Sequence, residues 1–144
     1  MSLLSAPEQQ RILDAIRAAE LQTSGEVRVH IEDRCPDKEP MARATTLFGK
    51  LGMTQTQQRN GVLIYVALKS RRFCILGDSG IHSVAGQDFW QSARDAMQPL
   101  FAAGKPAEAI AEGVRRVGEL LHERFPYQED DVNELPDEIS WGEN

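Results

Sequence analysis

The sequence predicts an α/β sandwich built on a small mixed β-sheet, and three stretches carry that expectation. "TSGEVRVHIED", Thr23 to Asp33, alternates apolar and ionisable residues without a break, as a strand with two different faces must. "NGVLIYVAL", Asn60 to Leu68, is a nearly continuous apolar run after a glycine, which suits a central strand covered on both sides. "KPAEAIAEGVRRVGELLHERF" repeats Ala107, Ile110, Val114, Val117, Leu121 and Phe125 at helical spacing, the apolar stripe of a core-facing helix.

The remaining elements follow in order. "SAPE", Ser5 to Glu8, is a capping-box pattern that starts a first helix. Ile12, Leu13, Ile16 and Ala19 carry that helix to about Leu21. Ser24-Gly25 breaks it before the opening strand. Two prolines in "CPDKEP" make that segment a loop. A second helix is expected from about Met41 to Leu51, with Met41, Ala44, Leu47, Phe48 and Leu51 on one side. After the central strand a short turn at Lys69–Arg71 leads into "RFCILG", a third strand. So short a link cannot make a parallel crossover, so these two strands form an antiparallel hairpin. "GDSGIHSVAGQ" reads as a glycine-rich loop, and "DFWQSARDAMQPLFAAG" as a helix whose last turn Pro99 strains. Pro106 suits the first turn of the final helix. The first two strands, joined through a helix, should be parallel with a right-handed crossover.

Charge is unevenly spread along the 144 residues. All 16 bases and 15 of the 22 acids lie at or before Arg124, so that part carries +1. The last twenty residues hold the other seven acids and no base, −7. We therefore divide the chain into an α/β domain, 1–125, and an acidic tail, 126–144. The body is not basic enough for nucleic acid to be the expected partner. Leu135, Ile139 and Trp141 are anchors that a purely solvating tail would not need; the tail either packs back on its own domain or binds a partner. No apolar run approaches the roughly 18 residues of a membrane helix. "MSLLSAPEQQ" shows no signal-peptide pattern. A cytoplasmic location without membrane attachment is the expectation. Cys35 and Cys74, far apart and in no CxxC arrangement, are expected to be two structural thiols.

The hairpin decides which polar residues can meet. It returns the end of the third strand to the beginning of the second, where the first strand also begins. Glu26, Asn60, Asp78, Ser79, His82 and Asp88 should therefore gather at one sheet edge, among glycines that let backbones approach. Glu26, Asp78 and Asp88 are the candidate ligands for a hard cation, Ca2+ or Mg2+, and His82 is the natural proton carrier beside them. Asn60, Ser79 and His82 complete the candidate pocket. The alternative is that Asp and Ser after a strand only close turns and cap helices. "GDSG" lacks the partners of a serine-protease triad, and "DDVNELPDE" lacks the spacing of an EF-hand loop. The turn "KSRR", Lys69 to Arg72, is first a solvated surface that blocks edge pairing, with attraction of a phosphate or an acidic partner as the other reading. Arg28, His30 and Glu32 are expected on a wet or partly covered sheet face, with only Glu26 placed to join a site.

The arrangement resembles the TPM domain family, found in bacterial proteins and in plastid proteins linked to photosystem repair. "TSGEVRVHIED", "LFGKLGM", "RNGVLIYVALKSRRFCILGDSGI" and "LFAAGKPAEAIAEGVRRV" carry the likeness over about Leu4 to Arg124. "TSGEVRVHIE" with "FPYQEDDVNELPDEISWG" looks like a soluble, unanchored bacterial branch. The resemblance implies a three-layer α/β/α sandwich. It also implies calcium binding, known of some members, and the acid phosphatase activity described for a plant member. The family has a "G-aromatic-G-L-E" loop followed by a later Asp, and of that pattern Gly77 and Gly80 match. Asp78-Ser79 replaces the aromatic, His82 stands where an acid is common, and Asp88 aligns only approximately. The expected function is a non-catalytic protein-interaction domain with a divalent cation site, its partner meeting the tail or the 77–88 loop. The alternative is a metal-assisted acid phosphatase acting on phosphomonoesters. No organic cofactor is expected.

Overall fold

The computed structural model describes residues 4–56, 58–126 and 139–142. Helix α1, Ala6–Glu20, starts at the predicted capping box: Glu8 N donates to Ser5 Oγ at 3.2 Å, and Ser5 N donates to Glu8 Oε1 at 2.9 Å. Strand β1 spans Glu26–Glu32, and α2, Pro40–Lys50, opens with its proline at the first helical position, where a missing N–H costs nothing. Strands β2, Gly61–Ala67, and β3, Arg72–Gly77, form the predicted antiparallel hairpin. Helix α4, Gln87–Ala102, continues for three residues beyond Pro99. Helix α5, Pro106–Arg124, follows.

Two elements depart from the sequence reading. The stretch read as a glycine-rich loop holds a short helix, α3, Ser79–Ala85. Asp78 caps it by accepting from Ser79 N at 2.7 Å, and Ile81 buries its side chain in the core. A local cap and one anchor outweigh the cost of Gly80 inside the helix. The second departure is strand β4, Ile139–Trp141, taken from the acidic tail. It pairs parallel with β1, Val29 opposite Ile139 and Ile31 opposite Trp141. That stretch of the tail thus packs on its own domain; Leu135, the other expected anchor, lies outside the described residues.

The sheet order is β3-β2-β1-β4, with β1 parallel to both neighbours and β2 antiparallel to β3. One face presents Val27, Val29, Ile31, Val62, Ile64, Val66 and Ile75 to α1, α4 and α5. The other presents Leu63, Tyr65, Ala67 and Cys74 to Ala44, Leu47 and Phe48 of α2 and to Met53. Helices on both faces of a mixed sheet make the expected three layers. Close packing within the α1/α4/α5 layer depends on small residues. A Cβ on Gly118 would stand 2.8 Å from Ala19 Cβ, and one on Gly113 would stand 2.6 Å from Met97 Sδ.

The ionisable row of β1 is not wet. Glu26, Arg28, His30 and Glu32 are 2%, 8%, 4% and 2% exposed, so the expectation of a wet face is corrected. These side chains share the α2 side of the sheet, and β4 covers the outer edge of β1. Alternation reports two faces; it does not report what lies over the polar one.

Candidate functional site

The predicted edge exists. Glu26 is opposite Gly61 in the register, Glu26 N donates to Asn60 O at 3.4 Å, and Asp78 N donates to Gly61 O at 2.9 Å. Glu26, Asn60 and Asp78 thus share one end of the sheet, all buried. Asp78 has a defined occupation there. Arg59 Nε donates to its Oδ2 at 2.7 Å and Arg59 Nη2 to its Oδ1 at 2.9 Å, the bidentate geometry in which a guanidinium holds a carboxylate best. Hydrogen bonding to Asp78 raises the Arg59 pKa above its ordinary value. The backbone is shaped to this clamp. Arg59 sits at φ +53°, Gly80 N donates to Arg59 O at 2.8 Å, and a Cβ on Gly80 would fall 2.1 Å from Gln58 O. Only glycine allows so close an approach.

The other candidates are more open. Ser79, His82 and Asp88 are exposed, with the His82 ring stacked on Trp90 at 6.3 Å between centroids and Asp88 in the first turn of α4. Among the described residues, no group of three His, Cys, Asp or Glu side chains is assembled that could hold a metal ion. With Asp78 engaged by Arg59, the donors present at this edge do not fit a divalent cation as arranged.

A polar cluster that sequence reasoning missed lies at the other end of β1. The Glu32 side chain is fully buried, and Arg43 Nε and Nη2 donate to its Oε2 and Oε1 at 3.0 and 2.9 Å. The Tyr65 hydroxyl donates to Glu32 Oε2. His30 Nε2 lies 3.1 Å from Glu32 Oε1, and His30 Nδ1 lies 2.8 Å from Ser140 Oγ. A carboxylate only accepts, so Nε2 carries the proton and Nδ1 accepts from the Ser140 hydroxyl. Burial pushes the Glu32 pKa up, but hydrogen bonds from Arg43, Tyr65 and His30 outweigh it and bring it down to about 2. Burial lowers His30 below its usual 6.5, against the opposing pull of Glu32. Burial, then the Glu32 carboxylate, raises Tyr65 far above its usual value. The cluster is a hydrogen-bonded cross-brace among β1, β2, α2 and β4. The alternating row of β1 put His30 and Glu32 on one face, but nothing in the sequence showed that Arg43, Tyr65 and Ser140 would meet them there.

Both thiols are free, and burial first, then Cys35 nearby, pushes the Cys74 thiol up to about 12. It stays protonated and unreactive. No helix among the described residues is long and apolar enough to cross a membrane.

Solved structures share this fold. The BA42 protein from the psychrophilic bacterium Bizionia argentinensis superposes with a TM-score of 0.91 at 42% identity, covering 98% of this chain and 97% of that one. The N-terminal domain of a protein from P. gingivalis gives 0.70 at 24% identity, over 86% and 80%. The N-terminal domain of the cg2496 protein from Corynebacterium glutamicum gives 0.61 at 14% identity, over 99% and 82%; these two speak to the fold alone. No curated protein is similar enough to count as a match. The TPM domain model matches residues 1–120. With residues 1–120 of its 144 matched by that model, this chain belongs to the TPM domain family.

Proposed function

We propose that this TPM-domain protein is a non-catalytic recognition module that grips another protein through the surface around α3, residues 77–88. One observation carries the reading. Asp78, the acid best placed for chemistry, is spent on Arg59 and on the start of α3, while His82, Ser83, Val84 and Asp88 around it stay exposed. Val84, 40% exposed, gives an apolar centre ringed by polar groups, the pattern of a partner surface. A metal-assisted phosphatase using Glu26, Asp78 and Asp88 would first have to break the bidentate Arg59–Asp78 pair.

Heteronuclear NMR with calcium, magnesium and p-nitrophenyl phosphate separates the two. The recognition reading expects the amides of 77–88 to stay in place with either cation and the ester to remain intact. A partner captured by the wild-type chain should be lost by Val84→Glu and kept by Leu21→Glu, a change on another surface. Calcium-driven shifts at 77–88 together with ester turnover would replace this reading by the hydrolytic one.

A further inference from the structure

Strand β3 ends the sheet, with no strand beyond it among the described residues. Bonded pairs alternate along an antiparallel ladder. Asp78 N donates to Gly61 O, so in the observed register Leu76, Cys74 and Arg72 also turn their backbone groups to β2. Phe73, Ile75 and Gly77 turn theirs away, to the outer edge. That edge is open at its start: Arg72 is exposed and Phe73 half-buried, whereas Ile75 is 3% exposed. Among the described residues, the outward N–H and C=O of Phe73 have no hydrogen-bond partner. Such a free edge is a template for another strand.

The surroundings of Phe73 say which strand would fit. A cleft of about 480 Å3 runs past it, between residues 38–40 at the start of α2 and helix α4. Lys38, Arg71, Arg72 and Arg94 line the cleft against two acids, Glu39 and Asp95, a surplus of +2 on a chain of formal net charge −6. Arg72 Nη1 donates to Lys38 O, which holds that side chain on the α2 side of the edge. On the α4 side the Phe73 ring packs against Phe101 at 4.8 Å between centroids. Both rings line an adjoining pocket of about 460 Å3, with Leu68 and Pro106. The two sides of the edge thus differ, basic towards α2 and apolar towards α4.

We infer that the start of β3 accepts an extended, acidic segment of another protein as an added antiparallel strand, centred on Phe73. One residue of the segment exchanges both backbone hydrogen bonds with Phe73. Side chains directly opposite share a face, so that residue points to the α4 side, where an aromatic ring meets Phe73 and Phe101. Its two neighbours point to the α2 side, where carboxylates meet Arg72 and Lys38. The recognised pattern is acid–aromatic–acid. A second copy of β3 fits badly, because pairing the same edge to itself brings Arg72 against its own counterpart, and like charges so placed repel. This edge is the opposite end of β3 from Asp78 and α3, so it stands or falls separately from recognition there.

The test is an NMR titration of the full chain with the peptide acetyl-VEFEV-amide. Saturable shifts should centre on the amides of 71–75 and 91–98, and hydrogen exchange at the Phe73 amide should slow as that N–H gains an acceptor. N-methylation of the peptide's phenylalanine removes the N–H given to Phe73 O and should weaken binding by roughly tenfold. Lysine in place of both glutamates should abolish saturable shifts. In the protein, Arg72→Glu should weaken the peptide by roughly tenfold, and Arg11→Glu, an exposed change on α1, should leave it unaltered. Absent shifts, unslowed exchange at Phe73 in the bound chain, or an N-methylated or lysine peptide that binds as tightly would overturn the proposal. Concentration-dependent shifts at 71–75 without peptide would assign the edge to a second copy and overturn it as well.

Discussion

Tyr65, in the middle of β2, donates its hydroxyl hydrogen to Glu32, the last residue of β1, where Arg43 holds the same carboxylate from the α2 side. The bond reaches diagonally across the parallel pair, since Tyr65 is opposite His30 in the register. Three donors on three elements therefore converge on one buried charge.

Breaking that convergence should be expensive. Removing one partner from a buried ion pair typically costs about 3–5 kcal/mol, and losing a hydrogen bond to a charged group about 1.5–3 kcal/mol. Urea denaturation should place Glu32→Ala in the first range and Tyr65→Phe in the second. A Glu32→Ala loss under about 1 kcal/mol would mean that the brace is slack.

Stability should fall with acid in two stages. The unfolded chain binds a proton on His30 more readily than the native one, because burial depresses the native pKa below 6.5; that contribution is lost as pH falls through and below 6.5. Glu32, held at about 2 against a usual 4.5, contributes fully above 4.5 and loses its contribution as pH falls towards 2. His30→Asn should flatten the first stage and Glu32→Gln the second. Glu112 is also lowered to about 2, by Arg115 first and then Arg116 against an opposing burial effect, but its Arg115 partner is half exposed. Molar salt should therefore erase the Glu112 contribution and leave that of Glu32.

Strand β4 should tune His30. Ser140→Ala removes one hydrogen bond, about 1 kcal/mol. Deleting residues 139–144 opens the outer edge of β1 and relieves burial at His30. The His30 pKa, followed by NMR, should rise in the truncated chain; an unchanged value would show that β4 does not shield it.

The Arg59–Asp78 clamp should govern α3. Asp78→Ala removes the cap, about 1 kcal/mol, and hydrogen exchange at 79–85 should quicken. Gly80→Ala places a Cβ against the Gln58 and Arg59 carbonyls, and overpacking of that kind costs roughly 1–3 kcal/mol. Exchange that is unaltered in both variants would show that α3 holds itself in place.

Much of the fold was legible because its long helices and strands repeat strongly. Ile12, Ile16 and Ala19, or Val27, Val29 and Ile31, leave few alternatives, and the short link at Lys69–Arg71 forces a hairpin. That hairpin put Asp78 at the edge Asn60 leaves from, as the register confirms. What escaped depends on contacts rather than on period. Strand β4 is three residues long in an acidic segment, too short to show alternation. Helix α3 hides behind Gly77 and Gly80, whose role is close approach rather than looping. Nothing local in Arg43 or Tyr65 announces that both aim at Glu32, since that meeting requires α2 to cross back over the sheet. Arg59 is likewise an unremarked base until its turn brings it beside Asp78.

Because β1 is flanked on its outer side by residues more than a hundred positions downstream, the sheet cannot close early during synthesis on the ribosome. The hairpin and the β1–β2 pair need only residues up to Gly77, yet the outer rim of β1 stays uncovered until residue 141 has emerged. During that interval a nascent chain carries an unmated strand beside His30 and Glu32, open to chaperones or to another copy of itself.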